Sequence, residues 1–134
     1  MTPGGAERSP RGFLAFDFSL KRVGVASGNT LTGSATPLTT LTQTGDARFD
    51  AIARLVREWQ PAALVVGVPR HPDGAPHDNT ARAQRFARQL ATQFGLPVHE
   101  VDERYTSVAA RAEGAADVDA AAAALILEQF LRTV

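Results

Sequence analysis

A mixed α/β fold is what the hydrophobic pattern of this chain predicts, with one five-stranded sheet and helices on both of its faces. Three observations carry that expectation. Two short apolar runs, 12–18 and 22–27, lie so close together that they read as strands of one hairpin. Beyond residue 45 the apolar period switches from two to that of a helix, and strands and helices then alternate. The run Leu64-Val65-Val66-Gly67-Val68 is apolar throughout, as strands covered on both faces of a parallel sheet are. An antiparallel meander followed by crossovers of this kind gives a mixed sheet.

Taken in order, Gly12 to Phe18 and Arg22 to Ser27 form the hairpin, joined by a tight turn at Ser19-Leu20-Lys21. A third strand spans Ala35 to Leu41, where Thr39, Thr40 and Thr42 supply β-branched residues. Phe49, Ile52, Ala53, Val56 and Trp59 mark one stripe of an amphipathic helix, with Asp46 as its N-cap and Pro61 beyond its end. After the apolar strand, Pro69 to Asn79 is a loop by composition. A second helix turns Ala83, Phe86, Ala87, Leu90 and Phe94 inward and Arg82, Arg85 and Arg88 outward, and Gly95 and Pro97 end it. Val98 to Val101 is the last strand. Thr106 or Ser107 caps a short helix, and Asp117 or Asp119 begins a final one that runs through Leu125, Ile126, Phe130 and Leu131. The order β-β-β-α-β-α-β-α is that of the ribonuclease H-like fold. Residues 1–11 are polar, hold Gly and Pro, and are expected to form a flexible arm before a single domain over 12–134.

At 134 residues the chain suits one domain with a real core. Its formal net charge is zero, so any contact with nucleic acid must come from a local basic face. There is no cysteine, which excludes disulfides, thiolate catalysis and cysteine-based zinc sites and fits a reducing cytosol. No stretch approaches the roughly 20 apolar residues of a membrane span. A cytoplasmic protein, monomeric or weakly dimeric, is the expectation.

Chemistry concentrates at three acids. Asp17 closes the first strand between Phe16 and Phe18, where an isolated charge is costly without a partner or a cation. Asp102-Glu103-Arg104 follows the last strand, at the carboxyl end where α/β sheets gather ligands, and alternation turns only one of its two acids inward. Asp119 heads the alanine-rich helix. Each alone has a plain structural reading: a turn aspartate, an ion pair with Arg104, a helix cap. Together they are what a hard divalent cation requires. Lys21 and Arg22 lie in the turn beside Asp17, suited to phosphate, and Arg82, Arg85 and Arg88 form a candidate basic stripe. His71 and His77 flank Asp73, but three histidines without cysteine are a poor supply of zinc ligands.

The string Phe16-Asp17-Phe18-Ser19-Leu20-Lys21-Arg22-Val23-Gly24-Val25-Ala26 resembles the opening of the bacterial YqgF family, RuvC-like proteins described as Holliday junction resolvases and as pre-16S rRNA nucleases. So do Ala35-Thr36-Pro37-Leu38, Val66-Gly67-Val68-Pro69 with Asp73-Gly74, Asp102-Glu103-Arg104-Tyr105-Thr106-Ser107, and Asp119 followed by the alanines and Leu125-Ile126-Leu127. The resemblance covers nearly the whole chain from Gly12 onward. It implies Asp17, Glu103 and Asp119 as catalytic, metal-binding acids and Mg²⁺ or Mn²⁺ as the cofactor. One departure stands out: residues 111–118 are short and carry a single arginine where the family is longer and basic, which leaves Asp117 as a rival to Asp119.

The expected activity is hydrolysis of phosphodiester bonds in structured nucleic acid, with Lys21, Arg22, Arg104, Arg82 and Arg85 as the binding residues. Processing of the 5′ end of pre-16S rRNA comes first, with ribosomal precursor particles as admissible partners. Cleavage of branched DNA and a non-catalytic role in transcription or ribosome assembly are the alternatives. The hairpin also resembles the first phosphate loop of actin-like and sugar-kinase ATPases, but those need a second domain for which this chain has no room.

Overall fold

The computed structural model describes residues 11–105 and 112–134. Its five strands, β1 (Gly12–Phe18), β2 (Val23–Asn29), β3 (Ala35–Leu41), β4 (Ala63–Val68) and β5 (Val98–Asp102), form one sheet in the order β3-β2-β1-β4-β5. The first three are antiparallel neighbours, and β4 and β5 join parallel to β1. Three helices of the described residues, α1 (Gly45–Trp59), α2 (Thr80–Phe94) and α3 (Val118–Leu131), cover it. This is the ribonuclease H-like architecture expected from the element order. The short helix expected at Thr106 or Ser107 lies outside the described residues, as does Arg111. Arg11, assigned to the N-terminal arm, is already tied down: its amide donates to Thr30 Oγ1 at 3.0 Å.

Strand alternation decides which side chain meets which helix. On β1, Phe13 and Ala15 join a buried cluster with Val65, Val101, Ile126 and Leu127 beneath α3. Leu14 and Phe16 point the other way, to Ile52 of α1 and Phe86 and Leu90 of α2. β4 is buried along its whole length, as a strand at the centre of such a sandwich must be. The next odd position on β1 after Ala15 is Asp17, so parity aims the first acid at the α3 face.

Two sequence expectations about α1 change. The helix starts at Gly45 with Thr44 as N-cap, so Asp46 sits in the first turn, where the helix dipole still favours an acid. Trp59, the last residue of the helix, is 43% exposed and does not extend the buried stripe. That buried face is not wholly apolar. Arg48, one turn before Ile52, is buried on the inner face.

Candidate active site

A row of residues crosses the sheet on its α3 face. Asp17 on β1 pairs with Gly24 on β2. On the other side, Phe16 is level with Val66 on β4, so the position beside Asp17 is Gly67. The acid is therefore flanked on both neighbouring strands by residues without side chains, and both vacancies are filled. A Cβ built on Gly24 would lie 1.9 Å from the Asp119 carbonyl oxygen, so only glycine lets the start of α3 rest on β2. A Cβ on Gly67 would meet Ile126 Cδ1 at 2.4 Å and Glu103 Oε2 at 3.1 Å. The two glycines thus seat the second and third acids against the first.

The electrostatics follow from this crowding. Burial, and then the charge of Asp119, push the Asp17 carboxyl up to about 6. Burial, then Asp17 and Asp102, push Glu103 up to about 7. Asp102 goes the other way. Arg104 donates Nε and Nη2 to its Oδ2 at 3.0 and 2.7 Å, which holds that carboxyl below its usual range. The inward acid of the pair is Glu103, and Asp102 is engaged by Arg104.

Asp117 and Asp119 separate as clearly. Asp117 is the N-cap of α3: its Oδ1 accepts from the Ala120 amide at 3.1 Å and from the Thr40 hydroxyl. Asp119, in the first turn of α3, is the acid that Asp17 feels, and its Oδ2 accepts from Arg22 Nε at 2.8 Å. Lys21 shares the exposed turn with Arg22. Arg82 and Arg85 are elsewhere, lining a cleft of about 280 Å³ between α1 and α2 with Phe18 and Leu20 from the same turn. Arg104 backs the 69–79 loop, where a Cβ on Gly74 would come within 2.9 Å of its Nη1. In that loop the His71 and His77 rings lie 5.1 Å apart, and His77 Nδ1 accepts from the Asn79 amide.

Arg48 is the residue the sequence reading missed. Its guanidinium donates to the Leu20 carbonyl at 2.9 Å and the Gln43 carbonyl at 3.0 Å, and lies over the Phe18 ring at 5.4 Å. It ties the β1–β2 turn to α1. The available signal was its spacing of four from Ile52.

Among the described residues no three acidic or histidine side chains close around one point as a ready cation cage. The donors nevertheless suit a hard divalent ion. All are carboxylates, and two are half-buried acids whose ionisation the fold opposes until positive charge arrives. A cleft of about 520 Å³ lies beside β5 and α3 and includes none of the three acids. The acids instead occupy a sheet end.

A family model for RuvX, Holliday junction resolvase, matches residues 11–133. The chain belongs to the RuvX family. Membership rests on close relatives as well. A protein named "Putative pre-16S rRNA nuclease" from Polaromonas sp. (strain JS666) is 65% identical over 122 residues, covering 91% of this chain and 88% of the relative. Another of that name, from Albidiferax ferrireducens, is 62% identical, covering 91% of this chain and 78% of its own. Among solved structures, Thermus thermophilus RuvC in complex with a Holliday junction substrate superposes with a TM-score of 0.56 at 16% identity, over 92% of this chain and 94% of that one. That likeness establishes the fold. The YqgF resemblance drawn from the sequence and the RuvX match identify the same family.

Proposed function

We propose that this RuvX-family protein is a cytoplasmic nuclease that hydrolyses phosphodiester bonds of structured RNA, at the 5′ end of pre-16S rRNA, with Mg²⁺ or Mn²⁺. The observation that carries the reading is the row Gly24–Asp17–Gly67, which packs Asp119 and Glu103 against a carboxyl already pushed up to about 6. Nothing in the packing of α3 on the sheet needs three neighbouring acids. Their mutual repulsion works against the fold and calls for a cation.

In this reading Asp17, Glu103 and Asp119 hold the cofactor, which when bound supplies an activated water and Lewis-acid stabilisation of the leaving oxygen. Asp17 is fixed by its strand, Glu103 by the 3₁₀ turn Glu103–Tyr105 that follows β5, and Asp119 by the first turn of α3. Lys21 and Arg22 meet the phosphate beside the scissile bond. Arg104, oriented by Asp102, is a further contact for the substrate backbone, and Arg82 and Arg85 hold a more distant part of the strand. The names carried by the relatives support RNA as substrate.

Branched DNA is the second reading, favoured by the family's description and by the junction bound to the structurally similar RuvC. A side-by-side assay decides between them: a precursor 16S rRNA 5′ segment and a synthetic four-way junction, each with Mn²⁺, with Asp17→Asn as the control. Cleavage of the RNA that Asp17→Asn abolishes is expected. Symmetric cutting of the junction with the RNA intact selects branched DNA, and binding to both without cutting selects a non-catalytic factor.

A further inference from the structure

The β1–β2 turn is braced beyond what a hairpin tip of its length needs. Ser19 Oγ donates to the Arg22 carbonyl at 2.8 Å and accepts from the Arg22 amide at 3.2 Å. From the other side the buried Arg48 holds the Leu20 carbonyl at 2.9 Å. Arg22 therefore leaves the turn from a fixed backbone, and its Nε meets Asp119 Oδ2 at 2.8 Å. The acid is fixed as firmly, because Gly24 seats the start of α3 directly on β2. Two anchored backbones converge on one ion pair. The pair is asymmetric in exposure, with the arginine side chain 55% accessible and the aspartate 28%.

We infer that Arg22 is the resident counter-ion of the carboxylate site: it pairs with Asp119 while no cation is bound, and turns to a substrate phosphate when Asp119 takes a cation. The inference rests on the nuclease reading, since it takes Asp119 as a ligand. Its physical basis is the cost of exchange at each end. Arg22 sits at the solvent edge, so releasing its guanidinium strands no buried charge. Asp119, crowded by Asp17, is better off beside a positive charge at every stage. An exposed ion pair stabilises weakly, so it holds Asp119 without locking it. Because one guanidinium serves both partners, phosphate affinity and cation affinity become coupled, and the coupling is reciprocal.

The test reads Mn²⁺ binding to metal-free protein without nucleic acid, by the electron paramagnetic resonance signal of the free ion. Arg22→Gln removes the competitor, leaves no buried cavity, and is expected to bind Mn²⁺ about three-fold tighter than wild type, within the range an exposed ion pair supports. Lys21→Gln removes the neighbouring charge of the same turn and should gain less than half as much. In an Asp119→Asn background, adding Arg22→Gln should bring no gain, since the interaction it relieves is already gone. An unchanged affinity in Arg22→Gln, an equal gain in Lys21→Gln, or a gain that persists in the Asp119→Asn background would each overturn the assignment. Wild type that binds Mn²⁺ while Arg22→Gln binds it no more tightly refutes the counter-ion role alone. Wild type that takes up no Mn²⁺ at millimolar concentration refutes the nuclease reading and this inference together.

Discussion

Replacing Asp17 by Asn should make the metal-free protein more stable. The fold pushes this carboxyl from 3.8 to about 6, so at pH 8 the native state carries a charge that the unfolded chain accommodates more easily. A shift of about 2 units at 1.36 kcal/mol per unit sets an upper figure of about 3 kcal/mol. The sign follows from proton counting. Between the unfolded and folded values the native state holds more protons on this carboxyl, so its contribution to wild-type stability falls as pH rises from about 4 to about 6 and is constant outside that window. Asn cannot ionise, and its neutrality also relieves Glu103, whose upward shift comes partly from Asp17. At roughly 3–5 °C per kcal/mol for a chain of this length, that upper figure corresponds to roughly 9–15 °C, so Asp17→Asn should melt several degrees above wild type at pH 8 in EDTA. At pH 4 the two should melt together. Saturating Mn²⁺ should narrow the gap, since binding at 100 times Kd contributes about 2.7 kcal/mol to the native state that retains the site. Calorimetry at the two pH values is sufficient. An Asn variant that melts no higher than wild type at pH 8, or higher by the same amount at pH 4, would refute the argument from burial.

Three further outcomes follow from the packing. Gly24→Ala presses a methyl onto the Asp119 backbone, which cannot yield, so it should cost about 1–3 kcal/mol or more in urea unfolding; Gly67→Ala meets the Ile126 side chain, which can yield, and should cost less. Arg48→Met strands the Leu20 and Gln43 carbonyls and should cost about 1–3 kcal/mol, with the loss of amide-exchange protection centred on residues 19–22. With few basic residues at the site, duplex binding should show a shallow slope of log affinity against log salt, about −2 to −4, each phosphate contact contributing about −0.9; a slope near −8 would demand a basic surface not identified in the described residues.

Much of this site was legible before the fold was seen, because strand parity is a property of sequence. β1 and β3 were read to the residue, and the parity of β1 aims Asp17 at whichever helix covers Phe13 and Ala15. The identity of that helix was not readable, since only tertiary packing places α3 across β1 and β2. The sequence named Asp119 with Asp117 as its rival, since both suit the start of a helix; in the fold Thr40 engages one and Arg22 the other, 77 and 97 residues away in sequence. Arg48 escaped because a buried arginine looks like a surface residue until the carbonyls it serves are in place.

The two glycines show what a sequence cue for such a site looks like. In sequence alone, a glycine inside a strand marks close packing or the approach of a ligand, with no means of choosing between them. The structure resolves the choice through their shared row. Gly24 and Gly67 lie on either side of one acid, on strands that are antiparallel and parallel to it, so no local sequence motif contains all three. A glycine inside a strand normally weakens it. Two of them flanking a half-buried aspartate trade sheet stability for the space in which Asp119 and Glu103 can stand beside Asp17. The same row raises the cost of ionising Asp17 and leaves two further carboxylates within its field, so the feature that most weakens the metal-free fold is also the one that shapes the candidate cation site. A substitution that relieves the crowding should therefore stabilise the protein and weaken cation binding together, and that paired response separates a functional acid cluster from a merely structural one.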